Sequence, residues 1–146
     1  MEKTKDNRII KGLVFTAIRT VMEIISAAFF AVSYFIQNDG LIGALWIIGL
    51  IVYLILSAIP HIFVKNTTLG LATIYNTIST ILFGGIAFCI IIIFTNFSNY
   101  DGSVGGWVVI VGMIIIMTLT AIYFAMNFIA DLIVYFAFIK RKMKNS

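Results

Sequence analysis

What this chain lacks first is charge. Only 11% of its 146 residues are Asp, Glu, Lys or Arg, less than half the roughly 25% typical of a water-soluble domain. With 62% hydrophobic residues and a mean hydropathy of +1.10, a soluble globular fold is excluded. Cysteine and histidine are nearly absent. A single cysteine, Cys89, permits no intramolecular disulfide and no dithiol redox chemistry, and a single histidine, His61, cannot ligate a haem from both sides. No group of His, Cys and carboxylates has metal-ligand spacing, so neither metal nor cofactor is expected. P-loop, dinucleotide, nucleophile-elbow and zinc-protease motifs are all missing, and the connecting segments are nearly bare of catalytic residue types. An enzyme is not expected.

What is present is a strict placing of positive charge. Nine of the ten Lys and Arg residues lie before Gly12 (Lys3, Lys5, Arg8, Lys11), at Lys65, or after Ile139 (Lys140, Arg141, Lys142, Lys144). Residues 37–40 and 96–106 contain none. Cytoplasmic loops collect positive charge, so the pattern predicts four crossings with both termini and the Lys65 loop inside. The net charge of +4 therefore marks topology and contact with lipid head groups, not nucleic acid. Lys140, Arg141, Lys142 and Lys144 form a juxtamembrane cluster suited to anionic lipid.

The predicted fold is all-α: one four-span transmembrane domain over residues 1–146, an up-down-up-down bundle. Its spans are about 12–36, 41–64, 69–95 and 104–139, with basic tails at 1–11 and 140–146. Each span exceeds the ~20 residues needed to cross ~30 Å of hydrocarbon. Arg19 and Glu23 interrupt the first span, and the apolar run continues beyond Ser26-Ala27-Ala28, so it reads as a retained helix and not a cleaved signal. Gln37 to Gly40 predicts a tight outer turn and Asn96 to Gly106 a longer outer loop. Tyr34, Trp46, Tyr100 and Trp107 suit an interfacial aromatic belt. High isoleucine, with Lys and Asn favoured, points to a bacterial source and the cytoplasmic membrane.

Polar and small residues run in seams. In span one they are Gly12, Thr16, Arg19, Glu23, Ser26, Ser33 and Gln37, broken only by Phe30, at alternating spacings of four and three. Span three has Gly70, Thr73, Thr77, Thr80, Gly84 and Ala87 as its packing seam. Span four has Thr120, Asn127 and Asp131, with Phe124 between. Such faces turn toward one another and leave Ile, Leu and Phe to lipid.

Arg19 lies ~12 Å inside Lys11 and Asp131 ~13.5 Å inside Lys140 at helical rise. The two spans are antiparallel, so Arg19 can face Asp131 while Glu23 faces Asn127, a ladder of two rungs. Arg19 can instead pair with Glu23 on its own helix. If depth is counted from Trp107, Asp131 falls near the inner interface and the match is a coincidence. Asn76 lies at similar depth and can join the group.

Arg19, Glu23, Asn76, Asn127 and Asp131 thus form a candidate intramembrane polar site, open to two readings. One is a structural ion pair; the other is a relay or a site for a charged substrate. Pro60 is expected to close a helix, with His61 reaching to the head groups. Cys89 is expected to be a small buried hydrophobe, and Gly85 is the better hinge candidate of the Gly84-Gly85 pair.

The function expected is a small non-catalytic membrane protein acting through a membrane-protein partner, as an accessory subunit, regulator or immunity factor. The alternative is a homo-oligomeric transporter or lipid flippase using an intramembrane carboxylate. A closed Arg19–Asp131 pair favours the first, and a wet cavity around Glu23 favours the second.

Overall fold

The computed structural model describes residues 2–33, 39–64, 68–97 and 102–144, with side chains described over 7, 9–33, 40–64, 68–96 and 105–137. The helices are α1 (Glu2–Ser33), α2 (Asp39–Leu56), α3 (Ile59–Phe63), α4 (Leu69–Phe97) and α5 (Gly102–Lys144). There is no strand among the described residues. Four segments are long and apolar enough to cross a membrane: Ile9–Ser33, Gly40–Phe63 (α2 with α3), Leu69–Asn96 and Gly105–Ala137. Because Lys, Arg and Glu are good helix formers, α1 and α5 continue unbroken into the basic tails instead of stopping at the apolar boundary.

Two of the helices start earlier than the sequence predicts. Asp39 and Gly40 open α2, and Gly102 to Gly106 belong to α5. Gln37, Asn38, Tyr34, Lys65 and Tyr100 lie outside the described residues, as do the side chains of Lys140, Arg141, Lys142 and Lys144.

Contacts define the directions. Trp46 meets Phe30 and Ser33 while Ser57, just past the end of α2, meets Arg19, so α2 runs antiparallel to α1. Tyr75 meets Phe15 and Ser79 meets Glu23, so α4 runs parallel to α1. Phe83 meets Tyr123 and Gly112 meets Ile91, so α5 runs antiparallel to α4. The result is an up-down-up-down bundle. The close backbone neighbours of α1 are α2 and α4, and those of α5 are α4 and α2. Helices α1 and α5 therefore stand on a diagonal, and only long side chains join them.

The seams differ in part from the expected ones. In α1, Gly12, Thr16, Arg19, Glu23 and Ser33 are buried, with Ser26 and Phe30 half-buried. In α4, Thr80 is buried and Thr73, Gly84 and Ala87 are half-buried, but Gly70 and Thr77 are exposed. The inward face of α4 runs instead through Ala72, Asn76, Ser79, Thr80 and Phe83. Thr73 and Thr77 hydroxyls bond their own helix, to Leu69 O and Thr73 O, which satisfies them without an inward orientation. In α5 the buried face is Tyr123, Asn127, Ala130 and Asp131, and Phe124 points outward at 37% exposure. Cys89 is exposed, not buried: in a membrane helix an apolar run marks the lipid side as readily as the core. Gly85 lies within an unbroken α4, which gives no sign of a hinge there.

Candidate functional site

The core of the bundle at the end carrying the chain termini is built from charges and amides. Arg19 is wholly buried and donates from Nη1 to Asp131 Oδ2 at 3.0 Å; its Nη2 pairs with Asp131 Oδ1. The pair is bidentate, the strongest geometry available to guanidinium and carboxylate. The Phe15 ring lies 4.7 Å from the Arg19 guanidinium carbon and closes it off.

A break in the second span completes this group. Pro60 has no N–H and stands in the first turn of α3, so it opens a helix where a helix end was expected. The His61 N–H bonds Ala58 O at 3.1 Å. That leaves Ser57 O free of its usual partner four residues on, and Arg19 Nη2 donates to it at 3.3 Å. The same short helix turns His61 inward. Its Nε2 lies 2.7 Å from Asp131 Oδ1, and its ring packs edge-on against Phe15. His61 therefore does not reach to head groups; Asp131, a stronger hydrogen-bond partner than any exposed site offers, holds it within the bundle. Asp131 thus ties α1, α3 and α5 together.

One helical turn further from the termini lies the second rung. Asn127 Nδ2 donates to Glu23 Oε1 at 2.8 Å, and Tyr53 Oη donates to Asn127 Oδ1 at 2.9 Å. Ser79 Oγ lies 3.3 Å from Glu23 Oε1 and 2.9 Å from its own helix carbonyl at Asn76. Asn76 Nδ2 donates to Phe124 O at 3.1 Å, which fixes α4 to α5. Glu23, Asn76 and Asn127 are each 0% exposed. The sequence-predicted residues Arg19, Glu23, Asn127 and Asp131 are brought together in two rungs, and Asn76 stands beside them on α4. The rungs cross the bundle's diagonal and do not zip adjacent helices.

Sequence reasoning missed Tyr53, Ser57, Ser79 and Tyr123. Tyr53 and Tyr123 sit far from any span end, where an aromatic belt has no use for a hydroxyl; that depth was the available signal. Ser79 lies three residues from Asn76, on a seam one position off the chosen one.

The cluster holds one positive guanidinium and two carboxylates. Asp131 is served by three donors, two from Arg19 and one from His61, depending on its tautomer. Glu23 Oε2, Asn76 Oδ1 and Arg19 Nε have no hydrogen-bond partner. No group of three His, Cys, Asp or Glu able to hold a metal occurs among the described residues. Compared with family models, curated proteins and solved structures, the chain gives no match.

Proposed function

We propose that this chain is a small non-catalytic integral membrane protein of the bacterial cytoplasmic membrane, with both termini inside, that acts by packing against a membrane-protein partner. The observation that carries this reading is the contrast between closed and open parts of the bundle. The Arg19–Asp131 pair is shut inside the terminal half, whereas no described residue in 24–32, 40–52, 84–96 or 106–122 is buried. Trp107 is 68% exposed and Met117 69%, and Ile47, Ile51 and Ile114 are also exposed. Exposed apolar surface of this extent is available to a partner's helices as well as to lipid.

Photo-crosslinking residues at 51 and 114, introduced in native membranes, test the reading. A discrete adduct of defined mass at far-half positions is expected, and its absence at both sites counts against a partner. An adduct of twice the chain's mass would make the partner a second copy. Orientation is tested with Asp39→Cys and Asp101→Cys in a Cys89→Ala background. Both should react with an impermeant thiol reagent in intact cells, and Lys65→Cys should not.

The unpartnered oxygen of Glu23 favours a second reading, a carrier that uses this carboxyl for coupling. Reconstituted wild type and Glu23→Gln separate the two. A proton-linked flux lost in the variant supports the carrier, and no flux from either supports the packing protein.

A further inference from the structure

The charged and titratable groups around Glu23 are either bonded elsewhere or, like the Tyr123 hydroxyl, bonded to nothing, and Glu23 is left short. From α1, Arg19 faces it but spends both terminal nitrogens on Asp131 and Ser57 O. From α3, His61 contacts Asp131. From α2, Tyr53 gives its hydroxyl hydrogen to Asn127 Oδ1. From α5, Asp131 is fully engaged, Asn127 gives Glu23 one donor, and the buried Tyr123 hydroxyl, itself without a hydrogen-bond partner, makes no bond to Glu23. From α4, Ser79 has one hydrogen to divide between Asn76 O at 2.9 Å and Glu23 Oε1 at 3.3 Å, and the shorter contact takes most of it.

Glu23 therefore has one full donor, on Oε1, and nothing on Oε2, although the whole residue is 0% exposed. An ionised carboxylate has two acceptor oxygens and roughly four lone-pair sites to satisfy. Stripped of water, an ion so poorly served is far more costly than the neutral acid. The placing of charge agrees: Arg19 and His61, the two groups here able to carry positive charge, both lie on Asp131 and neither bonds Glu23.

We propose that Glu23 is a buried proton-binding site, with the proton on Oε2 while the bundle is closed. The oxygen that accepts from Asn127 and Ser79 is the carbonyl oxygen of the acid, and Oε2 becomes a hydroxyl. With a neutral His61, the core is then electrically neutral without a further ion. A proton needs no volume beyond the oxygen that takes it, whereas a metal cation needs a cage of several oxygens. Binding and release are simple: Oε2 gains or loses one proton from water, and no other bond changes.

Infrared difference spectroscopy of the purified full chain in lipid nanodiscs tests this assignment. Wild type at neutral pH should show the carbonyl stretch of a protonated carboxylic acid. That band should persist in Asp131→Asn, vanish in Glu23→Gln, and shift in frequency in Glu23→Asp. The aspartate variant carries the test should the glutamine variant not fold. Absence of the band in wild type, its survival in Glu23→Gln, or an unshifted band in Glu23→Asp each overturns the proposal. So does a band abolished by sodium or potassium at constant pH, which would make the site one for a metal cation.

Discussion

The two halves of this bundle are held in opposite ways. In the terminal half, four helices converge on buried charges and amides: Arg19, Asp131, Glu23, Asn127 and Asn76. Two apolar clusters flank them, Phe15 with Val64 and Ala72, and the aromatic group Tyr53, Phe83 and Tyr123. In the far half nothing is buried between 84 and 96 or between 106 and 122. Its close approaches run pairwise: Gly49 against Phe29 between α1 and α2, and Gly112 against Ile91 between α4 and α5. The difference teaches where lipid competes. Apolar side chains gain little by leaving lipid for a helix neighbour, so an apolar half stays open unless glycine permits intimate contact. Polar groups have no such alternative, and they pull four helices together.

The sharpest way to break this comparison is to remove the pair at its centre. Arg19→Ala or Asp131→Ala leaves the other charge unbalanced, a loss of ~3–5 kcal/mol in soluble interiors, reduced if water enters. Each should lower thermal stability in detergent, and the double variant should lose less than the sum. Additive losses would mean that the pair does not hold the diagonal helices.

Next come the glycines of the far half. A Cβ at Gly112 would lie 2.5 Å from Ile91 Cδ1, and one at Gly49 2.8 Å from Phe29 Cε1. Gly112→Ala and Gly49→Ala should each cost ~1–3 kcal/mol by overpacking, with the rigid Phe29 ring making Gly49 the worse. A cost equal to that of losing Arg19 would put the far half on a par with the polar core. Gly85→Ala is the control: nothing lies within 4 Å of a Cβ there, and the change should stabilise by up to ~1 kcal/mol.

A smaller effect is expected at Tyr53. Tyr53→Phe removes the hydrogen bond to Asn127 Oδ1 but keeps the ring against Tyr123. Interhelical hydrogen bonds in membranes average ~0.6 kcal/mol, with a maximum near 1.7, so a loss within that range sharpens the view of the second rung as a secondary support. Least of all should Cys89→Ala matter. Cys89 is exposed, and stability should stay within ~0.5 kcal/mol.

Much of the polar site was legible because charge inside an apolar span is conspicuous and helical spacing puts residues four apart on one face. Arg19 with Glu23 and Asn127 with Asp131 follow from that spacing and the antiparallel spans. The α4 seam was harder. Gly70, Thr73 and Thr77 keep heptad spacing, yet a threonine hydroxyl satisfied by its own helix carries no orientation. Asn76 and Ser79, shifted by one position, face the core. His61 was misplaced because the outcome of Pro60 depends on whether the chain ends its helix or starts another.

By itself the sequence determined that the chain is all-helical, that four segments are fit to span a membrane, and which charges need company there. Length, hydropathy and the cost of bare charge in lipid suffice for that. Tertiary structure alone decided that α1 and α5 stand on a diagonal, that Ser57 O and His61 complete the Arg19–Asp131 pair, and that no cation bonds Glu23. Helix periodicity specifies a face but not which neighbour it meets, and the partners of a buried charge are set by packing across all the helices at once.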